Sequence, residues 1–151
     1  MLIGVISDTH GLLRPEALAA LAGVGHILHA GDVGSPEILA TLAAIAPVTA
    51  IRGNIDTRGP CAELPPTEMV ELGGKLFYLV HSVHDLDISP AAAGVAAVIS
   101  GHTHRAGIEH KAGVLYLNPG SAGPRRFNLL VTVAVVSIDE DRVTAKIVPL
   151  E

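Results

Sequence analysis

Seven side chains of metal-binding type sit in short polar clusters: Asp8 and His10 in Ser7-Asp8-Thr9-His10, Asp32 in Gly31-Asp32, Asn54 in Arg52-Gly53-Asn54-Ile55-Asp56, His81, and His102 with His104 in Gly101-His102-Thr103-His104. Singly, each has an ordinary explanation. Asp8 suits a helix cap, Asp32 suits a Gly-Asp turn, and a lone loop histidine such as His102 or His104 needs no ligand. Together they form a nitrogen and oxygen donor set suited to a dinuclear centre. A carboxylate can bridge two cations, neutral imidazoles suit Mn, Fe, Co, Ni or Zn, and an amide oxygen adds a ligand without adding charge. Two divalent ions outweigh two aspartates, so such a centre attracts a phosphate ester even in an acidic protein. Two metals about 3.5 to 4 Å apart can activate water and clamp a phosphoryl group for in-line attack.

The elements that must position these residues are short apolar runs. Strands are expected at 2–6, 26–30, 47–51, 68–72, 75–80, 95–99 and 113–117, with a final antiparallel pair at Leu129–Ile138 and Val143–Val148. Two Ala/Leu-rich stretches, Pro15–Leu21 and Pro36–Ala46, carry helical spacing with proline in the first turn, and Ser35 is a candidate N-cap. Strand, helix, strand, helix, strand implies a parallel sheet at the N-terminal end. The later part reads as hairpins: Gly73-Gly74 has two-residue spacing, and Lys111-Ala112-Gly113 and Asp139-Glu140-Asp141 mark two further turns. Thr57–Pro66 reads as a connecting loop. Each donor cluster follows a strand, as does Asn118-Pro119-Gly120-Ser121. In open α/β sheets ligands bind beyond the carboxyl ends of strands, so these clusters would converge if their strands are parallel neighbours.

With 151 residues and 49% hydrophobic content, the chain is expected to form one domain, 1–151, with one core. The mean hydropathy is high, at +0.47, yet the longest nearly apolar stretch is interrupted by Thr132 and falls short of the roughly 18 residues that span a bilayer. No basic-flanked leader precedes Leu2-Ile3-Gly4-Val5-Ile6, so a cytoplasmic protein is expected. Cys61 is the one cysteine, which excludes an internal disulfide and a thiolate metal cluster. Ten Lys and Arg against fifteen Asp and Glu give a net charge of −5, with no basic run beyond Arg125-Arg126. That argues against a nucleic-acid-binding surface. The apolar content leaves room for a homo-oligomer interface.

Asp8-Thr9-His10, Gly31-Asp32, Gly53-Asn54 with Asp56, His81, and Gly101-His102-Thr103-His104 resemble, in order and approximate spacing, the calcineurin-like metallophosphoesterase superfamily. Compactness, Arg52-Gly53-Asn54-Ile55-Asp56 and Asn118-Pro119-Gly120-Ser121 make the chain most similar to the small bacterial and archaeal phosphodiesterase branch that includes YfcE. The resemblance implies an α/β fold of two mixed β-sheets packed as a sandwich and flanked by helices. It also implies that Asp8, His10 and His104 hold a first metal, that Asn54, His81 and His102 hold a second, and that Asp32 bridges them. The implied activity is hydrolysis of a small phosphodiester by a metal-bridging hydroxide, with Asp32, Asn54 and His102 at the reacting centre. Mn²⁺ is the first choice because it accepts mixed ligands and six-coordination, with Fe, Ni, Co and Zn open. The rival reading is a scaffold or ligand-binding protein that keeps the fold without turnover, as the retromer subunit of this superfamily does.

The chain departs from the family pattern at two places. Ile55 stands where many larger relatives carry a histidine that protonates the leaving group, help worth about 10²- to 10⁴-fold. His84 is the nearest spare imidazole in sequence and the candidate substitute acid. Ser82 follows His81 where relatives usually have a glycine, so either the loop is shaped differently here or the position needs no glycine. Asn54 and Arg125 are the candidate substrate-binding residues, with Arg52 and Arg126 as further arginines that could bind the phosphate. Thr103 and Ser121 read as turn formers, and His26, His29 and His110 as structural. Gly73-Gly74-Lys75 lacks the spacing of a phosphate-binding loop.

Overall fold

Ten strands and two α-helices make up the computed structural model, which describes residues 1–151. The strands are β1 (Leu2–Ile6), β2 (His26–His29), β3 (Val48–Ala50), β4 (Thr67–Leu72), β5 (Lys75–Val80), β6 (Val95–Ile99), β7 (Gly107–Lys111), β8 (Val114–Asn118), β9 (Thr132–Asp139) and β10 (Arg142–Pro149). The helices are α1 (Pro15–Ala20) and α2 (Pro36–Ala43). They form two five-stranded sheets, ordered β10-β9-β1-β2-β3 and β4-β5-β6-β8-β7. In the first, β1, β2 and β3 run parallel while β9 and β10 are antiparallel additions. In the second, β5, β6 and β8 run parallel and β4 and β7 pair antiparallel on its edges.

This is the expected mixed two-sheet sandwich, and its topology follows from the apolar pattern. β1 and β6 are nearly continuous apolar runs, as strands covered on both faces must be. β10 alternates exposed and half-buried residues, as an edge strand covered on one face does. The inner faces of both sheets share one core, with Ile3, Val5, Leu28 and Ile51 from the first against Phe77, Leu79, Ile99 and Leu117 from the second. The outer face of the first sheet is covered by both helices through Ala17, Leu21, Ile38 and Leu42. Gly4 allows that approach, because a Cβ there would meet Leu21 Cδ2 at 2.6 Å. The second sheet carries no helix, and its outer residues Tyr78, Val80 and Val98 pack beneath Leu86 and Ile88. The helices therefore flank one sheet only.

Boundaries differ from expectation where the chain turns. α2 stops at Ala43 rather than Ala46, and the last strand pair begins at Thr132 because Leu129 and Leu130 approach it as a loop and Val131 bridges to Ser121. Ser35 occupies the N-cap position with extended backbone, but its hydroxyl bonds the Glu37 carboxylate instead of capping the helix. Although the sequence puts His110 in a strand and a turn at Lys111-Ala112-Gly113, β7, with its mixed sequence GIEHK, lies outside the expected strand ranges. Every residue in it is exposed, and it is held by its ladder to β8 through a tight turn at Ala112 and Gly113, both with positive φ. No helix is long and apolar enough to cross a membrane.

Candidate metal centre

The six strands that precede polar clusters are the six parallel ones: β1, β2 and β3 in one sheet, β5, β6 and β8 in the other. Their carboxyl ends meet, and backbone hydrogen bonds sew the loops together. The N–H groups of Asp8, His10 and Gly11 donate to the carbonyls of Gly31, Asp32 and Val33 at 3.0, 2.9 and 2.9 Å. Within the second sheet, Gly101 N–H donates to the His81 carbonyl at 2.9 Å, and across the sandwich His102 N–H donates to Asp8 Oδ2 at 3.0 Å. Five of the seven donor residues hold left-handed backbone: Asp8 (φ 56°), His10 (47°), Asp32 (56°), His102 (74°) and His104 (63°). Each such residue costs about 1–2 kcal/mol, so the surrounding bonds hold these side chains in place against local preference.

The donor atoms gather in two overlapping groups, Asp8 with His10 and His104, and Asp8 with Asp32 and His81. Asp32 Oδ2 stands 3.5 Å from His10 Nε2 and 3.3 Å from His81 Nε2. Asp8 Oδ1 stands 3.4 Å from His104 Nε2, 3.8 Å from His10 Nε2 and 3.9 Å from His81 Nε2. The imidazoles form two pairs, His10 with His104 at 5.4 Å between ring centres and His81 with His102 at 5.3 Å. His102 and Asn54 are exposed on the open side, and Asn54 and His81 share the wall of a cleft of about 390 Å³.

These residues fit divalent cations. Asp8 Oδ1, His10 Nε2 and His81 Nε2 are buried with no hydrogen-bond partner, and a buried polar atom left unpaired costs about 1–3 kcal/mol. His104 Nδ1 is a fourth such atom in the cluster. His81 Nδ1 donates to the Ala30 carbonyl at 2.7 Å, which leaves the Nε2 lone pair aimed at the Asp32 carboxylate. Two acceptors at that distance repel unless a cation or a proton stands between them. The titration directions say the same. Burial works to raise Asp32, but the His81 imidazole 3.3 Å away, the Ile55 N–H bond and His10 hold its carboxyl down to about 2. Burial works to lower His81, and the Asp32 carboxylate 3.3 Å away, with the Ala30 carbonyl and Asp8, outweighs it, so its pKa rises. Burial lowers His104, with Asp8 opposing and Arg126 assisting. Ligands about 2.1 Å from one ion are roughly 3.0–3.5 Å apart, close to the separations seen, and a metal-binding His commonly donates its other nitrogen to a carbonyl.

Several residues that sequence reasoning left in the background support the site. Buried Asp56 accepts N–H bonds from Val33 (3.1 Å), Gly34 (3.0 Å) and Gly53 (2.8 Å), which clamps the Asp32 loop to the Asn54 loop. His29, expected to be structural, lies beneath the centre: its Nδ1 accepts from Gly31 N–H at 3.2 Å and its Nε2 pairs with Thr9 Oγ1 at 3.0 Å. Ser7 Oγ donates to Asp8 Oδ2 at 2.7 Å. Ser121 Oγ donates to the Asp8 carbonyl, and Thr103 Oγ1 accepts from Arg105 N–H and Asn118, as turn formers do.

Of the two alternatives for the loop after His81, Ser82 decides for a position that needs no glycine, since its φ of −115° is extended backbone open to any residue. Other expectations change. His84 is exposed in a 3₁₀ turn over Val83–Asp85 and does not line the cleft. Arg125 pairs with Glu151, and Arg52 Nη1 donates to the Leu64 carbonyl at 3.0 Å, so both guanidiniums are engaged away from the donor atoms. Arg126 is the arginine close enough to depress His104.

The family model described as the calcineurin-like phosphoesterase superfamily domain matches residues 1–141. A probable metallophosphoesterase of Methanothermobacter thermautotrophicus is 38% identical, covering 98% of this chain and 92% of its own. Among solved structures, a novel archaeal phosphodiesterase superposes with a TM-score of 0.80 at 24% identity, covering 98% of this chain and 100% of that one. YfcE, a phosphoesterase from E. coli, gives 0.72 at 21%, and Vps29 from Entamoeba histolytica complexed with Zn²⁺ gives 0.75 at 23%; each comparison covers both chains completely. These likenesses are of fold; the matched model and the relative in sequence carry the family, and the chain belongs to the calcineurin-like phosphoesterase superfamily.

Proposed function

We propose that this protein is a metal-dependent phosphodiesterase with a dinuclear centre: Asp8, His10 and His104 on one divalent ion, Asn54, His81 and His102 on the other, and Asp32 shared. The observation that carries this reading is the place of Asp32 Oδ2, 3.5 Å from His10 Nε2 and 3.3 Å from His81 Nε2, between the two imidazole pairs. Divalent ions bound there, Mn²⁺ first, would supply Lewis acidity toward the phosphoryl oxygens and an activated water. The chain's own residues do the rest. Ser7 and the His102 N–H occupy Asp8 Oδ2, so Oδ1 alone is free to ligate. Asn54 and His102, exposed on the open side, face an arriving phosphate.

A diester is favoured over a monoester because Arg52 and Arg125 are spent elsewhere and Arg126 is left near the donors. A monoanion needs less neutralisation than a dianion. Ile55 cannot move a proton; its N–H serves Asp32 at 3.0 Å instead, so good leaving groups such as aryl alcohols react best. The buried single thiol, Cys61, suits a reducing cytoplasm. The test is release of nitrophenolate from bis-p-nitrophenyl phosphate by metal-stripped protein before and after Mn²⁺, with Asp32→Asn and His104→Ala beside it. Turnover that needs metal and is lost in both variants is expected.

A second reading, a binding or scaffolding protein, draws on one observation. Ile55 is 45% exposed beside the centre, an apolar side chain where catalysis gains nothing from it. Metal uptake without product from any diester would favour that reading.

A further inference from the structure

The cleft beside Asn54 and His81 differs in chemistry from the centre it adjoins. Besides Asn54 and His81, its wall includes Arg52, Ser82, Asp85 and Asp87, with Pro66 and Val80 as its apolar side chains. Its charges are two carboxylates and one guanidinium, and the guanidinium is folded back onto the carbonyls of Leu64 (3.0 Å) and Ala62 (3.5 Å). Asp87 is held from behind. The hydroxyl of Tyr78, a residue only 6% exposed, donates to Asp87 Oδ1 at 2.6 Å. That bond satisfies the phenol and fixes the carboxylate while Oδ2 stays free.

A pocket of this kind selects by charge. A second phosphate or a carboxylate on the substrate would face Asp85 and Asp87 and be repelled. A quaternary ammonium is held best by aromatic faces, and none lines the cleft. A primary ammonium offers three N–H donors, which match two carboxylates and the Ser82 hydroxyl. Resting on the phosphodiesterase reading above, we propose that this cleft seats one alcohol of the diester and prefers an alcohol carrying a primary ammonium group. In the reaction the oxygen of water forms the new bond to phosphorus, one ester P–O bond breaks, and the departing alkoxide takes the water's proton, giving a monoester and an alcohol.

The test compares kcat/KM of the Mn²⁺-loaded protein for p-nitrophenyl phosphoethanolamine, p-nitrophenyl phosphocholine and bis-p-nitrophenyl phosphate. The ethanolamine ester should lead the choline ester by about tenfold, the scale of one or two net hydrogen bonds that the trimethylated nitrogen cannot donate. The ratio of ethanolamine ester to bis-p-nitrophenyl phosphate should fall about tenfold in Asp85→Asn/Asp87→Asn and shrink as salt is raised. An unchanged ratio in the double variant, or parity between ethanolamine and choline esters, would overturn the proposal. Calorimetric titration with phosphoethanolamine and phosphocholine reads the same selectivity without turnover. If no ester is hydrolysed, the phosphodiesterase reading fails while the cleft is still judged: about tenfold weaker phosphoethanolamine binding in the double variant supports it, and equal binding refutes it.

Discussion

The backbone N–H of His102 donates to Asp8 Oδ2 at 3.0 Å, joining residues 94 positions apart and the ends of two sheets. With Ser7 Oγ on the same oxygen at 2.7 Å, Asp8 has one oxygen committed to the scaffold and the other, Oδ1, left over. The bond exists because Gly101 has no side chain. A Cβ there would press on Ser7 Oγ and on Asp8 Oδ2. Gly101→Ala should therefore weaken Mn²⁺ binding about 10- to 100-fold, the usual effect of disturbing a ligand's support, measured by competition with a chelator. Gly53→Ala, whose Cβ would press on the Asp32 carboxylate, should do the same.

Asp56 makes a related prediction about stability without metal. Its carboxylate takes three backbone N–H bonds from two loops. In Asp56→Asn an amide NH₂ would face one of those donors, and the variant should lose about 2–3 kcal/mol, since hydrogen bonds to buried charge are worth about 1.5–3 kcal/mol each. The apparent Tm of metal-free protein should fall by about 5–10 °C. A smaller shift than about 2 °C would show that the clamp is not needed.

His29 sets a pH dependence. Burial lowers its pKa from 6.5 to about 4, with Asp56 opposing. Between those values the unfolded chain carries a proton that the folded one does not, so stability rises with pH across this range. The contribution is fully present above about pH 6.5 and is lost as pH falls toward 4, by about 3 kcal/mol at most. Urea unfolding of metal-free protein between those values should show this slope, and His29→Gln should remove most of it.

How much of this was legible in the sequence depends on the range of the forces involved. The parallel strands announced themselves because a strand covered on both faces must be apolar throughout, and each ended in a polar cluster. β7 could not be seen that way: exposed on the sheet edge, Ile108 and His110 answer to no buried face, and only the ladder to β8 defines it. Of the seven candidate donors read from type and spacing, Asp8, His10, Asp32, His81 and His104 come together in the structure as two groups. Their supports were not readable that way. Asp56 holds backbone N–H groups of Val33 and Gly34, 23 and 22 residues away, and His29 meets the Thr9 hydroxyl 20 residues away, pairings that leave no mark in local composition. Arg125 and Arg126 are adjacent and alike, and the pairing of Arg125 with Glu151 at the far end of the chain separates them.

His84 was singled out by nearness in sequence to His81, but it is exposed and outside the cleft wall. His84→Ala should leave kcat within about twofold on both aryl and alkyl diesters. A loss of 10²-fold or more confined to alkyl diesters, within the usual range of general-acid help, would restore it as the acid.

The central claim is that two ions share Asp32. The most direct measurement is a titration of metal-stripped protein with Mn²⁺ while nitrophenolate release from bis-p-nitrophenyl phosphate is followed. Activity should climb to a plateau at two Mn²⁺ per chain and stay near background throughout in Asp32→Asn. A plateau at one Mn²⁺ per chain, or an Asp32→Asn curve that follows the wild type, would contradict it.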